Sequence, residues 1–136
     1  MSIRASFTTF MAAAGLVVPL TGPAHATGSI GCNDMKFDSS LEILLGAGPV
    51  TNVISVSLSV GDRDLTTIPG QPGEPAVIAQ AFDDGELFRI DLVDDQATRL
   101  LAEIRLLRAD HEEMPLQIGY VRLGDEPPVG ISCVGP

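Results

Sequence analysis

Apolar and polar residues alternate with period two along much of this chain. Ile54, Val56, Leu58 and Val60 are interleaved with Ser55, Ser57 and Ser59. On a pleated strand this order puts aliphatics on one face and hydroxyls on the other, so 54–60 is predicted to be a half-buried strand. Gly61-Asp62-Arg63-Asp64 then turns the chain, and 65–68 returns as a short strand. Pro69-Gly70-Gln71-Pro72-Gly73-Glu74-Pro75 carries too many prolines and glycines for regular structure and is predicted to be a loop within one domain. Segments 76–82 and 86–93 flank Asp83-Asp84-Gly85, a hairpin connection in which Gly85 takes a positive φ. In the second of these strands Phe88, Ile90 and Leu92 point one way, and Leu87, Arg89, Asp91 and Val93 the other.

The stretch 94–109 fits two periods. Leu100, Leu101, Ile104 and Leu107 share a helical face, and Asp94 or Asp95 suits a helix cap. The turn at His111-Glu112-Glu113-Met114-Pro115 would equally let 103–108 pair with a strand at 116–123. The reading adopted is one short helix over 95–101 followed by strand. Residues 129–134 make a final strand carrying Cys133, and 40–45 an early one after Cys32. Seven or eight short strands with at most one short helix predict a mainly β fold, an antiparallel sandwich or small barrel. Alternation further predicts that three of Phe37, Phe82, Phe88 and Tyr120 are buried. It sets Leu87, Val93, Leu101, Leu107 and Leu123 on faces opposite the core, as an exposed patch, an oligomer contact or a second layer against the short helix.

The first 26 residues follow a different pattern. Arg4 precedes the uncharged stretch 5–20, then Thr21-Gly22-Pro23 and Ala24-His25-Ala26, which suits signal-peptidase cleavage after Ala26. Sixteen uncharged residues fall short of the roughly 20 needed for a membrane-spanning helix. Gly31-Cys32 would suit lipidation, but Ser29 stands where a bulky aliphatic residue is expected. The expected organisation is a secretory signal over 1–26 and one exported domain, periplasmic or extracellular, over 27–136. Export places Cys32 and Cys133 in an oxidising compartment, where they are predicted to join the two ends of the domain by a disulfide.

Cleavage would remove Arg4, one of 8 Lys and Arg, and none of the 18 Asp and Glu, taking the formal net charge from −10 to −11. Such a shell repels phosphate backbones and anionic headgroups, which argues against nucleic acid and membrane partners and for a basic protein partner.

Site chemistry is sparse. His111 is the one histidine of the expected domain, no nucleophile-elbow spacing surrounds its serines, and the phosphate-binding glycine patterns are missing. No catalytic residue and no cofactor are predicted. Asp62 with Asp64, and Asp83 with Asp84 and Glu86, place hard oxygens on loops expected to be adjacent, as calcium candidates, although neither set matches the twelve-residue calcium loop. The function expected is that of a non-catalytic interaction or structural module. The alternatives are an inhibitor or ligand of a basic secreted enzyme such as a lysozyme or protease, probing its cleft with the 69–75 loop or the His111 hairpin, and an unrecognised enzyme.

Overall fold

The computed structural model describes residues 27–109 and 116–136. The expected signal segment 1–26 and residues 110–115, which include the expected turn at His111, lie outside the described residues. The described residues form ten strands: β1 (Gly28–Asn33), β2 (Ser39–Gly46), β3 (Asn52–Val60), β4 (Arg63–Thr66), β5 (Glu74–Pro75), β6 (Val77–Asp83), β7 (Leu87–Val93), β8 (Leu100–Ala109), β9 (Leu116–Leu123) and β10 (Val129–Val134). They make one sheet in the order β5-β4-β3-β2-β1-β10-β9-β8-β7-β6, antiparallel except between β4 and β5, and it curls into a nearly closed barrel. Burial alternates along most of the strands, whereas β6, at one edge of the sheet, has no fully buried residue. Ile30, Ile43, Val56, Leu65, Phe88, Ile90, Leu92, Ile104, Leu106 and Val121 fill the interior.

The strand β5 runs directly into β6, and this segment crosses the seam of the barrel. At one end Ala76 N donates to Thr66 O at 2.9 Å, and Glu74 pairs with Arg63 of β4 and with Arg99 before β8. At the other end Asp83 accepts from the Thr51 hydroxyl at 2.5 Å and pairs with Arg108 at 2.6 Å. The Arg108 guanidinium lies 5.0 Å from the centre of the Phe88 ring, so the same cation closes the foot of the barrel over its largest core side chain.

Cys32 and Cys133 stand directly opposite each other on β1 and β10 and are joined by a disulfide. It crosses the place where the first and last strands meet, through only three register pairs.

Several expectations are corrected. The helix over 95–101 is not formed. Asp94 caps a tight loop instead of a helix, its carboxylate accepting from the amides of Thr98 at 2.7 Å and Arg99 at 3.2 Å, with Ala97 at φ 55°. A bulge opposite Leu92 and Val93 then lets Leu101 and Ala102 both turn inward, so Leu101 belongs to the core. Leu123 is also buried, whereas Leu107 is exposed. A second bulge, between Leu44 and Leu45, shifts the register so that Val53 packs against the core and Ile54 is exposed. Within the presumed 69–75 loop, Glu74 and Pro75 form a parallel edge pairing, a position where proline's missing N–H is tolerated. Of the four aromatics only Phe88 is buried; Phe37, Phe82 and Tyr120 are exposed.

The Asp83 carboxyl carries a pH dependence. Burial opposes its ionisation, but hydrogen bonds from the Thr51 hydroxyl, the Gly85 amide and Arg108 together outweigh it and hold the group below the usual carboxylate range. Backbone amides of Leu87 and Glu86 lower Asp84 likewise, and the amide and hydroxyl of Thr98 lower Asp94. A lowered folded pKa gives stability that is complete above the unfolded value of about 3.9 and is lost as pH falls through the folded value. Chemical denaturation should therefore show a falling midpoint below about pH 4. The Asp83→Asn variant should lose about 1–3 kcal/mol at pH 7 and show a shallower acid decline.

Candidate functional site

The outward positions of β1 to β4 are short and polar because the inward ones hold the aliphatics. Pairing brings them into rows: Asn33, Ser40, Ser59 and Asp64 in one, and Gly31, Glu42, Ser57 and Thr66 in the next. Nothing lies within 4 Å of where a Cβ on Gly31 would stand, so the sheet surface dips there. Gln71 and Pro72 form a wall on the β4 side. Behind that wall Thr66 is buried, and its hydroxyl accepts from Ile68 N at 3.1 Å, which fixes the base of the loop.

The result is an open trough of about 380 Å³ lined by hydroxyls and by two carboxylates, Glu42 and Asp64, with no Lys or Arg in its lining. Ser59 donates to Asp64 Oδ1 at 2.6 Å, so that serine is oriented by a carboxylate rather than activated by an imidazole. Hydroxyls and carboxylates at this spacing suit an ammonium or guanidinium group, which brings several donors and no acceptor.

The β1–β2 turn adjoins the trough, joining Asn33 to Ser39 and Ser40, with Asn33 and Ser40 in the lining. Phe37 N donates to Asp34 O at 3.2 Å, Ser39 N donates to Asp34 Oδ1 at 3.2 Å, and Gly61 N to Asp38 O at 3.3 Å, which holds the turn against the β3–β4 corner. This turn exposes Met35 at 98% and Phe37 at 79%. Phe37 also adopts φ 58°, a left-handed conformation that costs a bulky residue about 1–2 kcal/mol.

The calcium candidates do not converge. Asp64 projects into the trough, while Asp62 is exposed in the β3–β4 turn. Asp83 lies at the opposite end of β3, bonded to Thr51, so the two sets are not on adjacent loops. Its oxygens are engaged by Thr51, Gly85 and Arg108, and Asp84 Oδ1 accepts from the amides of Glu86 and Leu87. Among the described residues no three His, Cys, Asp or Glu side chains lie together as a metal set. The 69–75 loop, expected to probe a partner, is exposed over 69–73 and lines one side of the trough with Gln71 and Pro72. Sequence reasoning identified the serine face of β3 but missed Ser40, Glu42 and the Met35–Phe37 tip. The flanking Asn33-Asp34 and Asp38-Ser39 are turn formers, and they were the available signal for that tip. No protein-family model, no curated protein and no solved structure matches the chain.

Proposed function

We propose that the chain is an exported, non-catalytic binding module for a basic protein, with the trough on β1 to β4 as its receiving surface. The observation that carries this reading is a concave, hydroxyl-lined face bearing Glu42 and Asp64 and no cation. The disulfide supports an oxidising compartment. The net acidity of the chain would speed encounter with a cationic partner and make it salt-dependent. Binding to a panel of basic secreted proteins, measured at low and high salt, tests the proposal. At least one should bind at low salt, and Glu42→Gln with Asp64→Asn should weaken it by about fivefold, the scale of one or two exposed charge pairs. No binding at low salt, or equal binding by the neutral variant, would overturn it.

The position of the β1–β2 turn favours a second reading, inhibition of a basic secreted enzyme. An apolar tip held rigidly beside an acidic trough is suited to enter a cleft whose rim is cationic, with Phe37 as the anchor. Its left-handed backbone conformation is kept while its side chain stands exposed, the pattern expected where function retains local strain. Phe37→Gly should leave stability unchanged or raise it by up to about 1 kcal/mol, while inhibition of the responsive lysozyme or protease falls at least tenfold. Undiminished inhibition by this variant would remove the tip from the interface.

A further inference from the structure

The outer face of β7, β8 and β9, on the other side of the barrel, has the opposite character. Cross-strand pairing aligns Leu87, Leu107 and Ile118 in one row and Arg89, Arg105 and Tyr120 in the next. Leu107, Ile118 and Tyr120 are exposed at 56%, 47% and 37%. Between the two rows lies an open depression of about 320 Å³, walled by Leu87, Leu107 and Tyr120, with Gly119 in its floor and Arg89 and Arg105 at one end.

The two arginines break a pairing rule. Like charges directly opposite on neighbouring strands are destabilising. Arg105 is neutralised: its guanidinium lies 2.7 Å from Asp91 and 3.4 Å from Glu103, and it donates to the carbonyls of Ile90 and Ile104 at 3.0 and 2.9 Å. Arg122 completes that set through Glu103. Arg89 is different. Five of the six arginines among the described residues pair with a carboxylate, and Arg89 is the one for which no such partner occurs there. It is exposed beside an apolar depression on a protein whose acids outnumber its bases 18 to 8.

We propose that this depression binds a small amphiphilic carboxylate, an aliphatic chain ending in a single anionic group. The chain would lie across Leu87, Leu107 and Tyr120, and the carboxylate would accept from the Arg89 guanidinium. Charge complementarity selects this occupant. A cationic amphiphile would meet the uncompensated charge of Arg89, and a neutral one would leave that charge without a counterion. The site is small for the class of ligand pockets, which fits a chain of about eight carbons rather than a long-chain lipid. It is separate from the acidic trough, and its test is independent of the partner proposed there.

The experiment is a two-dimensional NMR titration of the disulfide-intact protein with octanoate, octanol and octyltrimethylammonium, each kept below its micellar concentration. Octanoate should shift the amides of 87–89, 105–107 and 118–120 saturably, with octanol binding at least about fivefold more weakly and the cationic probe not at all. Arg89→Gln, a change at an exposed position, should leave the spectrum folded and bring octanoate down to the octanol affinity. The proposal is overturned if octanoate shows no saturable shifts, if octanol binds equally well, or if Arg89→Gln leaves octanoate binding intact. It is also overturned if these amides respond to protein concentration and not to octanoate, which would assign the face to a second copy of the chain.

Discussion

Replacing Cys32 and Cys133 together by alanine is expected to lower the stability by about 4 kcal/mol and the thermal midpoint by roughly 15–30 °C. The bond spans a sequence separation of 101 residues, so its loss frees an unfolded chain that had been closed into a loop of nearly the whole domain. The folded state is vulnerable at the same place. The join between β1 and β10 has three register pairs, against six between β1 and β2 and five between β9 and β10. Cys32 and Cys133 are themselves buried in the interior, so each alanine also leaves unfilled core volume. Differential scanning calorimetry of the double variant beside the oxidised protein measures the effect. A midpoint within a few degrees of the parent would mean that β1 and β10 hold without the covalent bond, and that the barrel is tied elsewhere.

How much of this fold was readable from the sequence depends on where each strand obtains its stability. The segment 129–134 and the face carrying Phe88, Ile90 and Leu92 were legible because their own alternation is regular; 116–123 was legible as a strand, but not the face it buries. The strand β1 was not. Gly28, Ser29, Gly31 and Asn33 have weak strand preference, and the segment becomes a strand because β2 and β10 pair with both its edges. Leu100, Leu101, Ile104 and Leu107 show a helical period only because a bulge adds one residue to β8. Between β7 and β9 that segment satisfies two rows of backbone groups, which a local helix there would leave open.

The candidate site divides in the same way. Ser55, Ser57 and Ser59 announced a polar face, but their meeting with Ser40, Glu42 and Asp64 is a matter of cross-strand register, which no single segment contains. Apolar identity was also misleading where geometry decided exposure. Phe37 read as core by alternation, yet it stands exposed with Met35 at the tip of a turn. On β9 Leu123 was expected opposite the core, but the inward positions are Gln117, Val121 and Leu123, which leaves Tyr120 outside. The tip and the Tyr120 wall are thus exposed for separate reasons, and each has become part of a proposed contact.

Gly119→Ala is expected to be the most damaging single change on β9, costing more than about 3 kcal/mol and in the limit preventing the protein from folding. A Cβ built on Gly119 would stand 1.8 Å from the Arg105 carbonyl oxygen and 2.9 Å from the Leu106 Cα. Both obstacles are backbone, so no side chain can rotate away, and relief requires β8 and β9 to separate where Leu106 faces Gly119. That separation would disturb Leu106 and Val121, which are wholly or almost wholly buried. It would also tilt the Leu107 and Tyr120 walls of the depression on the outer face, coupling the packing of this strand pair to the site proposed there. Gly31→Ala supplies the contrast. Gly31 also lies within an antiparallel strand, but its Cβ would meet nothing within 4 Å. That substitution should be neutral or stabilising by up to about 1 kcal/mol, since alanine loses less backbone entropy on folding. Urea denaturation of the two variants side by side separates steric exclusion at Gly119 from a general requirement for glycine in these strands. Equal midpoints would show that β8 and β9 do not approach as closely as the structure places them.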